Sequence, residues 1–359
     1  MKDKKSLFQR IPNSILFVII LTLFFSKVLV YILIKNNYLN VELGGGSDAD
    51  YYHAYAKGYT DIAVNIWPVL LRYLNEINLY YRNVLSYMFL ISNFFIIPIV
   101  VAKLAQIKTS KNQKYYFYII IICLIYPTLY FFTFDIYRDV FMVLVFLIGS
   151  LIVKKTLNSY SILISIIFLS LCILIGLFLG ALRPYLGASF LGSLLLINIK
   201  FTKRRLVLLG FLYLIALWVA SYIGVFDSVM EYRSGFDEIE AGSNLGLDFS
   251  NITMFVPNFI LSFLGQMLGL YITNPLAIVL LLIETMPFLF MLAYVIKNIT
   301  WADKFVRFLI IFFVLYGSVW LIGNDNLGTA VRLRLYNYFA IYISFFYILN
   351  LKEKALKNI

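Results

Sequence analysis

Apolar runs of about twenty residues recur along almost the whole chain, each long enough to cross the roughly 30 Å hydrocarbon core of a bilayer. We read spans at 14–34, 84–102, 115–134, 137–153, 160–181, 185–199, 206–225, 276–296, 306–323 and 333–350. In lipid only a helix satisfies its own backbone hydrogen bonds within one segment, apart from closed barrels. The expected class is therefore an all-α polytopic membrane bundle of about ten helices. Composition agrees: 62% of the residues are hydrophobic and 13% are charged. That is too little charge to solvate a separate water-soluble domain, so 1–359 reads as one integral membrane domain. No small-residue cleavage site follows the first span, which reads as a retained helix rather than a signal peptide.

The run 256–272 is short, carries Gln266 and is broken by Gly265 and Gly269. Charge decides how to treat it. Lys2, Lys4, Lys5 and Arg10 place the N-terminus inside, and the lysine-rich connectors at 103–114, 154–155 and 200–205 then also fall inside. If 256–272 does not cross, Lys297, Lys304, Arg307 and the C-terminal lysines return inside too. We therefore expect ten crossings, both termini cytoplasmic, and 256–272 re-entrant or interfacial. An eleven-span arrangement is the alternative. Most of the 30 Lys and Arg then lie inside, with only Asp3, Asp303 and Glu353 of the 18 acids. The net charge of +12 is thus a membrane-orienting excess, not a nucleic-acid footprint. Cys123 and Cys172 lie within apolar spans and read as packing residues, and no Cys/His cluster has zinc spacing.

Under this topology the chemically unusual residues face out, on the loops 36–83 and 226–275 and the turns near 135, 183 and 324–332. The first loop opens with "GGGSDADYYHAYAKGY". Asp48 and Asp50 admit three roles: helix cap, metal ligand or catalytic carboxylate. Two carboxylates alone make a thin site for magnesium. A helix starting at Asp48 would stack Tyr51, Tyr55 and Tyr59 on one face, suited to the membrane interface or to sugar rings. His53, the only histidine, reads as a wetted surface residue. The stretch 65–81 reads as an interfacial helix with Val69, Leu70, Tyr73, Leu74, Ile77 and Tyr80 or Tyr81 on its apolar side.

Arginines stand at the outer ends of spans: Arg138 beside Asp135 and Asp139, Arg183 before Pro184, Arg233 in an acidic loop, and Arg332 with Arg334 at the start of the last span. One such arginine can snorkel to the headgroups. A collection on the side where positive charge is disfavoured points to a bound anion, since the planar guanidinium fork matches phosphate oxygens. On a helix Arg332 and Arg334 stand about 200° apart and cannot share a ligand, whereas an extended backbone would align them. Glu284 lies about 8 residues, or ~12 Å, below the outer surface, above Pro287. An ionisable group at that depth is a candidate catalytic or ligand residue.

The stretches "YPTLYFFTFDIYRDVFMVL", "ALRPYLG", "EYRSGFDEIEAGSNLG" and "NDNLGTAVRLRLYNYFAIYI" resemble the Wzy-type polymerases that join lipid-linked repeat units of O-antigen or capsule. The "SDADYY" after the first span is also similar to the first outer loop of GT-C glycosyltransferases, where an acid serves as base. The resemblance implies a donor glycan on polyprenyl diphosphate, used at the outer face of a bacterial inner membrane without cofactor, metal or nucleotide. It implies a carboxylate base (Asp48 or Asp50, then Asp139 or Glu284), and a diphosphate held by Arg138, Arg183, Arg233, Arg332 and Arg334. Tyr51, Tyr52 and Tyr55 would bind glycan. Its partners would be polyprenyl-diphosphate-linked oligosaccharides, the bilayer and a chain-length regulator. A polyprenyl-phosphate-sugar transferase would need the same acid and cations. A lipid-linked glycan flippase would place charges along a path through the bundle rather than at its rim.

Overall fold

The computed structural model describes residues 11–39, 46–110, 112–234 and 243–357. The glycines ahead of Gly46 and the acidic stretch 235–242 lie outside the described residues. The chain divides into two compact units, Met1–Pro184 and Tyr185–Ile359. The described residues are helical with no strands.

The first unit contains α1 (Asn13–Lys35), α2 (Gly46–Ala56), α3 (Ile66–Glu76), α4 (Arg82–Leu104), α5 (Gln113–Ile125), α6 (Pro127–Phe131), α7 (Arg138–Leu157) and α8 (Ile162–Leu182). The second contains α9 (Pro184–Leu196), which opens at the unit boundary, then α10 (Lys203–Tyr222), α11 (Asp227–Ser234), α12 (Phe255–Met267), α13 (Pro275–Lys297), α14 (Lys304–Gly323) and α15 (Leu327–Lys357). Seven of these helices, α1, α4, α7, α8, α10, α13 and α14, are long and apolar enough to cross a membrane. The shorter α5, α9 and α12 are apolar as well.

Local chemistry sets these limits. The expected span 115–134 breaks at Pro127, which lacks an N–H and forces Tyr126 into an extended conformation (ψ 102°). Asn37, Asn78 and Gln106 take left-handed conformations just past the ends of α1, α3 and α4 and stop those helices. Asn65, Thr202, Asn274 and Asp303 cap α3, α10, α13 and α14 by accepting backbone N–H bonds. The last helix starts at Leu327, earlier than the expected 333. The interfacial helix expected over 65–81 is the shorter α3. It buries Trp67 and Leu71 and turns Val69, Tyr73 and Ile77 outward.

In the first unit α7 packs along α8, α1 along α5, and α2 against α3. In the second, α15 packs between α13 and α14. The residues of α15 between Leu333 and Ile348 are buried, as are 13 of the 20 in α14, whereas α1, α8 and α10 expose long apolar faces. Such faces are costly in water and natural in lipid. Cys123 and Cys172 are free and buried.

Three π-helical turns occur, inside α4 at Ser92–Ile96, at the end of α12 at Phe263–Met267 and inside α13 at Leu281–Thr285. Each carries a buried polar side chain: Asn93, Gln266 and Glu284. A π turn is a local insertion that is frequent at functional sites.

Candidate functional site

The up-and-down course of the first unit brings the C-terminal ends of α1 and α8 and the N-terminal ends of α4 and α7 to one end. Hydrogen bonds fix that end. Ser86 at the start of α4 donates to the carbonyls of Thr133 and Phe134 at 2.9 and 3.0 Å and bonds the Tyr31 hydroxyl of α1. Trp67 Nε1 donates to the Ile136 carbonyl at 2.9 Å, drawing α3 onto the turn before α7. Arg138 Nη1 donates to the Leu182 carbonyl at the end of α8 at 2.9 Å.

Arg82 is the centre of this end. Its Nε and Nη2 donate to both oxygens of Asp135, at 2.7 and 2.5 Å, and Nη2 also donates to Asp50 Oδ1 at 2.7 Å. Asp135 Oδ1 additionally accepts the Ile136 N–H. Asp50 keeps most of its carboxylate in the open, with 71% of its side chain exposed. Asp48 lies in the first turn of α2, where a carboxylate is favoured by the helix dipole. Deeper, Asp139 is fully buried in the first turn of α7, with Arg183 Nη2 at 3.7 Å from Oδ1. Arg138, beside Asp139 on the same turn, is half-buried. Beyond its bond to Leu182 its remaining N–H groups bond no described protein group.

His53 is not simply a wetted residue. Its Nδ1 lies 2.7 Å from the hydroxyl of buried Tyr80, and the two rings stack at 5.7 Å. Lys57 Nζ lies 5.5 Å from the centre of the Tyr80 ring. Burial pushes the Tyr80 phenol up to about 12. Burial, followed by the charges of Arg82 and Lys57, pulls the His53 imidazole below its ordinary value, against the opposing pull of Asp135 and Asp50.

The tyrosines are arranged differently from the expected sugar-stacking face. α2 ends at Ala56, so Tyr59 lies beyond it and is exposed. Tyr52 and Tyr55 are buried in the packing, with Arg72 stacked over Tyr55 at 4.9 Å. The Tyr51 hydroxyl bonds the Ile62 carbonyl and the Val64 N–H, pinning the loop before α3.

In the second unit Arg233 is buried, and its donors are spent on protein. Nε donates to Leu247 O at 3.0 Å and Nη1 to the carbonyls of Ile322 and Asn324. Nη2 pairs with Asp325, whose other oxygen accepts the Gly246 N–H at 2.9 Å. Gln266, from the π turn of α12, bonds Ser262 and the Asn324 carbonyl and accepts from the Asn324 amide. Arg334 is likewise buried. Its Nη2 donates to Glu284 Oε2 at 2.8 Å, and its guanidinium lies 5.4 Å from the Tyr338 ring. Both arginines of "RLR" are on the helix α15, so Arg334 points into the core while Arg332 is half-buried. Gly269 has φ +63°, and a Cβ there would sit 3.0 Å from Arg334 Nη1. Gly269→Ala will therefore strain the backbone and press on the Glu284–Arg334 pair. We expect a loss of about 1–2 kcal/mol, read as a lower melting temperature in detergent.

The structure brings Asp50, Arg138, Asp139 and Arg183 to one end of the first unit, and joins Glu284 to Arg334 in the second. Sequence reading missed Arg82, although it heads the second span as Arg138 heads the fourth. It also missed Asp325, 92 residues from Arg233. No known family model matches the chain, and neither does any curated protein or solved structure. What fold and site define is a class: a helical bundle of membrane type in which Arg82, Arg183, Arg233 and Arg334 are each paired with a carboxylate.

Proposed function

We propose that the chain is a membrane glycosyltransferase that joins polyprenyl-diphosphate-linked oligosaccharide repeat units of a surface polysaccharide. The reading includes ten crossings, cytoplasmic termini and a site at the extracytoplasmic face of a bacterial inner membrane. The observation that supports it is the convergence, at one end of the first unit, of Arg82, Arg138 and Arg183 with Asp50, Asp135 and Asp139.

Within this set the roles divide by exposure. Arg183 is buried against Asp139, and Arg233 and Arg334 are buried in the second unit, so these three position the protein. Arg138 has spare donors at the N-terminus of α7, where the helix dipole also favours an anion. It is the residue that would meet the diphosphate. Charge stabilisation of a leaving group is commonly the largest catalytic term. The energy for bond formation would come from the sugar–phosphate bond, so no nucleotide is required.

Deleting the gene in a host that makes the matching glycan should leave single repeat units attached and remove the polymer ladder on a gel. Loss of a flippase would leave little attached at all. Arg138→Lys keeps the charge but lacks the fork. It should lower ladder formation by roughly 10²-fold with normal protein levels. A full ladder in the deletion strain refutes the polymerase reading.

A further inference from the structure

Most of the carboxylates described above are committed to guanidinium groups, although Asp50 keeps 71% of its side chain exposed. Asp139 and Glu284 have no exposed surface and face Arg183 and Arg334. Asp135 gives both oxygens to Arg82, and Asp50 gives one. His53 differs. One ring nitrogen is fixed by the Tyr80 hydroxyl, and the ring is held by stacking. Among the described residues no group bonds Nε2, and the residue is only half-buried.

We propose that His53 is the catalytic base of this end of the protein, with Tyr80 as its positioning residue. The proposal rests on the polymerase reading and names the group that the reading requires. With the proton on Nδ1 donated to Tyr80 Oη, Nε2 carries the lone pair. Nε2 takes the proton of the acceptor hydroxyl as that oxygen attacks the anomeric carbon of the donor. The bond from that carbon to the phosphate oxygen breaks, and the polyprenyl diphosphate leaves with the electron pair. Imidazolium then releases its proton to water.

The charges that bear on the ring are Arg82 of α4, Lys57 at the end of α2, Asp135 before α7 and Asp50 of α2. On α3, packed against α2, Arg72 is engaged by Asp61, and Glu76 is exposed. Positive neighbours and burial outweigh the acids, so the ring is neutral at pH 7 and available as a base. Activity should thus be full at neutral pH and fall as the ring protonates, below the ordinary histidine value of about 6.5.

The test uses membranes from the deletion strain carrying plasmid-borne protein, with elongation of their own lipid-linked repeat units followed on gels from pH 5 to 8. His53→Gln should lower the rate by roughly 10²–10⁴-fold and flatten the acid limb. Tyr80→Phe should keep measurable activity but shift that limb. His53→Ala, at normal protein level, should regain activity when imidazole is added to the buffer, which a purely structural role would not allow. A His53→Gln protein with the wild-type rate and acid limb overturns the proposal, as does His53→Ala protein that is present but not rescued. Wild-type membranes that form no ladder at any pH would instead overturn the polymerase reading beneath it.

Discussion

Replacing Arg334 by methionine will destabilise the protein by about 3–5 kcal/mol, because it strands the Glu284 carboxylate in a fully buried site. Glu284 sits in a π turn within α13, and Arg334 reaches it from α15. The surroundings are apolar and aromatic: Phe288 stacks on Tyr338 at 4.0 Å, and the Tyr338 hydroxyl donates to the Met267 carbonyl. A carboxylate left there has lost its guanidinium partner in a fully buried site. The double replacement Arg334→Met with Glu284→Met removes both charges, and a buried pair exchanged for apolar side chains is commonly neutral or stabilising. The double variant should therefore recover most of the melting temperature lost by the single one. Thermal unfolding in detergent measures both. If Arg334→Met melts with the wild type, the pair does not hold α13 to α15.

Arg233→Met is the second large effect, again about 3–5 kcal/mol, since a buried carboxylate loses its partner. Here one guanidinium ties three pieces of chain together. It donates to the carbonyls of Leu247, Ile322 and Asn324 and to the Asp325 carboxylate, and it lies 4.8 Å from the Phe249 ring. Removing it leaves those carbonyls short of a donor at the same time. The segment 243–254 should then come loose from the α14–α15 turn before the long helices melt. Limited proteolysis should cut there faster in Arg233→Met than in wild type. Arg233→Lys should fall between the two, because an ammonium keeps the charge but cannot reach all four acceptors in one plane. Unchanged cleavage would show that the segment is held by the Asn244–Asn326 bridge and the Gly246–Asp325 bond instead.

These two arginines show where sequence reading reaches its limit. Both stand near the ends of spans on the side poor in positive charge, where the sequence by itself points to a bound phosphate. Nothing in the sequence says that Arg233 meets Asp325, or that Arg334 meets Glu284 50 residues away. Arg233 spends its donors on protein and Arg334 pairs with a buried carboxylate, whereas Arg138 is half-buried and is held by the Leu182 carbonyl. The opening acids fared similarly. Asp50 was picked out, but its partner Arg82 was not, because that pair closes only when α2 folds back over the start of α4. His53 looked ordinary for the same reason: Tyr80 is 27 residues on, and the stacking exists only once α2 and α3 have packed.

The order of apolar and polar segments determined by itself that the chain is an all-helical bundle of membrane type. It also placed most helix ends, because helix length follows the hydrocarbon thickness and the caps and prolines act locally. The sequence further marked the chain positions where charge gathers. Only the tertiary structure decided which charges cancel, which tyrosines are buried and which side chains keep an open atom. Those outcomes depend on contacts between residues far apart in the chain, and a hydrogen bond or ion pair is set by ångström-scale distance that no local pattern encodes.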